Sequence, residues 1–116
     1  MQTYTVGYTK TFVEKVENWS KVKFPNDDAS GLILRRNQVM DFCDSHDQLP
    51  NRMTFHATLS ENAEIRVGVY AYAKGKSSRI FLGAVVDSGK CQVVFISLSF
   101  KRGGLQQAGL DALTDA

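Results

Sequence analysis

The chain is 116 residues long, 43% hydrophobic and 22% charged, with a formal net charge of +2. That length predicts one domain over residues 1–116, able to hide roughly two-thirds of the surface its unfolded chain exposes. No apolar run nears the roughly 18 residues that span a bilayer, and the opening MQTYTVGYTKTFVEK lacks the apolar core of a signal peptide, so a cytoplasmic protein with no membrane partner is expected.

Thr3 to Thr9 alternates with period two and is rich in Thr, Tyr and Val, which predicts a half-buried strand. From Lys10 to Phe24 the period changes. Phe12, Val13, Val16 and Trp19 fall on one helical stripe, while Glu14, Lys15, Glu17 and Lys21 fall outside it. The run Pro25-Asn26-Asp27-Asp28 breaks this helix and can cap the next. A second helix is predicted from about Ser30 to Ser45, with Leu32, Ile33, Val39, Met40, Phe42 and Cys43 as its apolar positions; Gly31 weakens its start and Leu49-Pro50 closes it.

Strands follow. Arg52 to Leu59 is the first, and Ile65 to Ala73 the most regular. In the latter, Ile65, Val67, Val69, Ala71 and Ala73 are expected to face the core, which leaves Arg66, Gly68, Tyr70 and Tyr72 on the other side. Arg79 to Val86 and Lys90 to Phe100 complete the set, joined by tight polar turns that predict antiparallel neighbours. After Gly103-Gly104 a weak helical pattern runs from Leu105 to Leu113. The predicted fold is α+β: an N-terminal strand, a two-helix hairpin packed on one face of a three- to five-stranded, mainly antiparallel sheet, and a short C-terminal helix. Val16, Trp19, Val39 and Phe42 are expected to meet Val67, Val69, Ile96 and Leu98.

Charge is uneven along this order. Residues 51–102 carry eight Lys/Arg against three acids, a net of +5, whereas residues 1–50 carry six against seven. A basic sheet on a near-neutral helical layer points to an anionic partner, and phosphate is the commonest. Cys43 and Cys91 read as separate buried or half-buried thiols rather than a disulfide. Their long separation, with His46 and His56 between, fits no zinc spacing, and Asp41, Asp44 and Asp47 lack the glycine turn and closing Glu of a calcium loop. No cofactor or metal is expected, and no P-loop, dinucleotide fingerprint or nucleophile elbow is present.

The segments TYTVGYTKTFVEKV, LPNRM, EIRVGVY and SRIFLGAVVDSGKCQVVFISLSFKRG, in this order and at these lengths, resemble the RelE/HigB/ParE superfamily of bacterial toxin–antitoxin systems. The resemblance implies a metal-independent RNA endonuclease that cuts messenger RNA in the ribosomal A site and is neutralised by an antitoxin. Arg66 and Arg79 fall where such toxins carry basic residues on central strands, and Lys101 and Arg102 where they carry a basic pair after the last strand. RNA-cleaving relatives often place a Tyr or His shortly after that pair, whereas this chain reads GGLQQAGL.

Cleavage by 2′-hydroxyl attack needs charge stabilisation and proton transfer. Arg66 and Arg79 are candidates to hold the phosphate, Lys101 or Arg102 to neutralise the leaving oxygen, and His56 to move the proton. Tyr70 and Tyr72 are candidates to stack bases, or equally to cover a helix, and Lys74 and Lys76 to grip backbone phosphate. The alternative is a non-enzymatic inhibitor, phage- or plasmid-borne, that uses the same face to block a host protein, as a ParE-like or anti-defence factor would.

Overall fold

The computed structural model describes residues 3–48, 52–75 and 78–100; the predicted C-terminal helix, Lys76 and the Lys101-Arg102 pair lie outside them. The element order is β1 (Thr5–Tyr8), α1 (Lys10–Lys23), α2 (Ala29–Asp44), β2 (Thr54–Thr58), β3 (Ala63–Ala71), β4 (Arg79–Asp87) and β5 (Gln92–Ser99). The strands form one open mixed sheet in the order β1-β5-β4-β3-β2. β1 runs parallel to β5, and every other pair is antiparallel.

Local chemistry sets the helix boundaries. The Thr9 side chain accepts a hydrogen bond from Phe12 N at 3.1 Å and caps α1, whose last turn carries Lys21 and Lys23 where the dipole favours cations. Asp28 caps α2 by accepting from Gly31 N at 2.8 Å. Gly31 has a reason to be there: a Cβ on it would stand 3.1 Å from the Asp27 side chain, tighter than side chains ordinarily approach. At the other end of α2, Tyr8 donates a hydrogen bond to Asp44, which ties the last residue of β1 to the last of α2.

Both helices lie on one face of the sheet. Phe12, Val16 and Trp19 from α1 and Val39 and Cys43 from α2 are buried together with Met53, Ile80, Leu82, Ala84, Val86, Val93 and Phe95. The expected helix positions Val16, Trp19 and Val39 therefore line the core, with Phe42 packed against it. Ile33, expected as an apolar helix position, is instead half exposed beside a groove between the helices.

The facing of β3 is the reverse of the expectation. Tyr70, Gly68 and Arg66 pair with Ile80, Leu82 and Ala84, so they share the helix side of the sheet, and Ile65, Val67 and Val69 lie on the other side. The helix-side partners are consequently Ile80, Leu82, Val93 and Phe95 rather than Val67, Val69 and Ile96; Leu98 does pack against the helix-side core. The physical reason is the depth of the helix layer. Gly68 gives Met53 and Phe42 room to lie close, its notional Cβ standing 3.5 Å from each, and the tyrosine rings pack under the helices. The aliphatic residues of β3 are also hidden: Ile65 is 1% and Val67 5% exposed, yet neither belongs to the helix-side cluster. With both faces apolar, alternation fixes a period but not which face meets the helices.

Candidate functional site

Arg79 opens β4 opposite Ala71. Because Ile80 is a helix-side core residue, Arg79 lies on the open face; it is exposed and pairs with no carboxylate among the described residues. Arg66 is placed differently. Its Nη1 donates to Met53 O at 2.9 Å, and its Nε stands 3.4 Å from Glu64 Oε1. The two arginines occupy opposite faces, with their rows five residues apart along β3, or about 17 Å at strand spacing. They are not brought together around one phosphate.

His56 sits at a bulge in β2, where the register to β3 shifts between Phe55 and Ala57, and its Nε2 is buried without a hydrogen-bond partner. Tyr70 packs edge-on to Phe42 at 5.2 Å, and burial pushes its hydroxyl above the usual tyrosine range. Tyr72 packs edge-on to Trp19 and Phe24 at 5.3 and 5.8 Å. Both tyrosines thus cover the helices, the second of the two roles the sequence allows. Lys74 is exposed in the β3–β4 link. Lys76, Lys101 and Arg102 lie outside the described residues.

Sequence reasoning missed a cluster where α2 ends. His46 is 3% exposed, and its ring meets Phe42 at 4.9 Å and Phe95 at 6.0 Å. Its Nδ1 lies 2.9 Å from Phe42 O. A carbonyl only accepts, so Nδ1 carries the proton and Nε2 of the neutral ring is left as an acceptor. Burial pushes the imidazole below its ordinary value; the hydrogen bond to Phe42 O opposes this, and nearby Arg52 reinforces it. Arg52 Nη2 donates to Ser45 O at 2.7 Å and to Ser45 Oγ at 3.0 Å, which caps the helix end. The available signal was spacing: His46 stands four residues after Phe42 and three after Cys43, so it continues the buried stripe beyond Ser45. Burial also pushes the Cys43 thiol far above its usual range, which makes it an inert packing group.

These features define a class of architecture before any comparison: an open five-stranded sheet with a parallel edge strand, a helical hairpin on one face, and an arginine standing free on the other. The fold is RelE-like. The E. coli toxin RelE, solved as a double mutant in the free state, matches over 98% of this chain and 98% of its own, with a TM-score of 0.54 and 12% sequence identity. No protein-family model matches the chain, and no curated protein matches it.

Proposed function

We propose that this chain is a RelE-like toxin that cuts messenger RNA on the ribosome and is silenced by an antitoxin covering its open face. The observation that carries the reading is Arg79, an exposed guanidinium without a carboxylate partner among the described residues, on the open face of a RelE-like sheet. The net +5 of residues 51–102 supports an anionic partner. In this reading Arg79 stabilises charge on the phosphorane as the 2′-hydroxyl attacks, and Lys101 or Arg102, following β5, neutralises the leaving oxygen. Arg66 and His56 then serve the fold of the β2–β3 margin, and the reaction relies on positioning and charge more than on a dedicated proton carrier.

A second reading, a protein-binding inhibitor without catalysis, is favoured by two specific findings. Arg66, Tyr70 and Tyr72 are engaged within the fold, and the segment after Arg102 lacks the Tyr or His of nuclease relatives. Induced expression in a bacterium, with growth and ribosome-bound message followed over minutes, separates the two. The nuclease reading expects arrest with cleaved message, and Arg79→Ala should slow cleavage by about tenfold to a thousandfold, as when a transition-state charge stabiliser is removed. Arrest with intact message would leave the inhibitor; unaffected growth with intact message would sink both.

A further inference from the structure

The sequence holds four Tyr, seven Phe and one Trp, and the fold commits all of these rings but one to the helix side of the sheet. Most belong to the helix-side core or pack against it, Tyr70 and Tyr72 among them. Phe55 pairs with Arg66, itself a helix-side residue. Phe100 carries the Lys23 ammonium of α1 over its ring at 5.0 Å. The remaining ring is Phe81. It lies on β4 between Val69 of β3 and Ser99 of β5, two residues after Arg79. Strand alternation puts Arg79 and Phe81 on the same open face, about 7 Å apart at strand spacing. Along that face exposure rises toward the start of β4: Gly83 is buried, Phe81 half-buried and Arg79 exposed. Asp87, the one acid on this side of β4, stands at the opposite end of the strand.

We propose that Phe81 is the platform on which one base of a single-stranded RNA stacks while Arg79 holds a neighbouring phosphate. The assignment rests on the messenger-RNA reading above and names the subsite where that strand would lie. Sheet faces bind unpaired RNA by offering a ring beside a cation, because the splayed base presents a π-face and the backbone presents charge. Arg79 and Phe81 supply that pair on adjacent positions of one face. Ser99 and Gly83 are small, so neither β5 nor the next residue of this row walls the ring in. A protein partner would instead call for a patch of exposed apolar side chains. The exposed large hydrophobic residues, Val22, Ile33, Leu34, Phe55 and Phe100, all lie elsewhere. Phenylalanine has no hydrogen-bonding group, so the platform accepts any base and holds purines more firmly through their larger stacking surface.

The test measures binding of the full chain, at low salt, to three labelled single strands of equal length and charge: oligo(A), oligo(U) and an abasic ribose-phosphate chain. Oligo(A) should bind at least about fivefold more tightly than the abasic chain, the lower end of what one stacked base contributes. Oligo(U) should fall between them. Phe81→Leu keeps an apolar cover and should bring oligo(A) down to the abasic affinity without changing the abasic chain itself. Phe81→Tyr keeps the ring and should preserve the difference. Arg79→Ala should weaken all three strands alike. Equal binding of oligo(A) and the abasic chain by the unaltered protein would overturn the platform and leave the RNA reading of the open face intact. Equal weakening of both strands by Phe81→Leu would make the ring structural and also overturn it, as would failure of all three strands to bind. The nuclease reading fails by a different result, intact message in the expression experiment.

Discussion

Two side chains show how burial decides what a residue contributes. Trp19 is 1% exposed and packs edge-on to both Phe24 and Tyr72. Its replacement by Ala should cost about 3–5 kcal/mol in chemical denaturation, as for other large aromatic core residues; a loss under about 1 kcal/mol would mean that the helix stripe is wrongly phased. His46 gives a pH signature. Folded, its proton affinity lies below the ordinary value because burial penalises the charged ring. Unfolded, it titrates near pH 6.5. Its contribution is therefore present above about pH 6.5 and is lost as the pH falls toward the folded value, since the unfolded chain then binds the extra proton. Urea unfolding at pH 7 and pH 5 should show the decline, at most about 1.4 kcal/mol per pH unit, and His46→Gln should flatten it. A decline of equal size in that variant would assign it to other groups. Trp19 was legible in the sequence because its spacing repeated Phe12 and Val16. His46 was not, because its burial is created by Phe95, a residue of the last strand.

Among the elements, the helices were the more readable. Their caps, Thr9 and Asp28, are chosen by the need to satisfy free backbone N–H groups, a requirement local enough to read in one dimension. Asp28→Ala should cost about 1 kcal/mol, within the usual range of about 0.5–2 for a lost N-cap, measured by thermal or urea unfolding; Asp28→Asn should recover most of it, which a pure charge effect would not. β3 was legible as a strand but not in its facing. Its alternation sorts Ile65, Val67 and Val69 from Arg66, Gly68 and Tyr70, and an apolar side is normally the core side. Here both sides are hidden. The choice belongs to the register with β4 and to the room that Gly68 leaves for Met53 and Phe42. A glycine between charged and aromatic neighbours carries no hydropathy signal of that kind.

For the whole molecule, the order of elements was enough to reach the RelE-like fold, while the constellation of functional groups was not. The basic character of the second half was visible in the sequence, but Arg52 and Arg66 are bonded to backbone carbonyls, and Arg66 and Arg79 stand on opposite faces. Only three-dimensional placement distinguishes a free guanidinium from one committed to the fold. Charge reversal at Arg79 should therefore abolish binding of the anionic partner, and reversal at Lys15 and Lys21 on α1 should do little; equal damage from the helix variants in a binding assay would defeat the open-face assignment. For an RNA partner, the affinity should also fall steeply with added salt, because neutralised phosphates release counterions.

The parallel pairing of Thr5–Tyr8 with residues 92–95 also bears on how the molecule is made. Among the described strands, the one that leaves the ribosome first hydrogen-bonds to the one that leaves last. At about 5–20 residues per second, β1 waits roughly 4–17 seconds for its partner, while β2, β3 and β4 can already zip together through short hairpins. Closing so long a loop is entropically slow, so the edge of the sheet and the seat of α1 on β5 form late. Until then Phe12 lacks its ring neighbour Phe95 and the helix-side core lacks Val93. A chain still being made is thus an unfinished sheet whose helical layer lacks its contacts with β5, and whatever the open face does begins only after β5 has been synthesised.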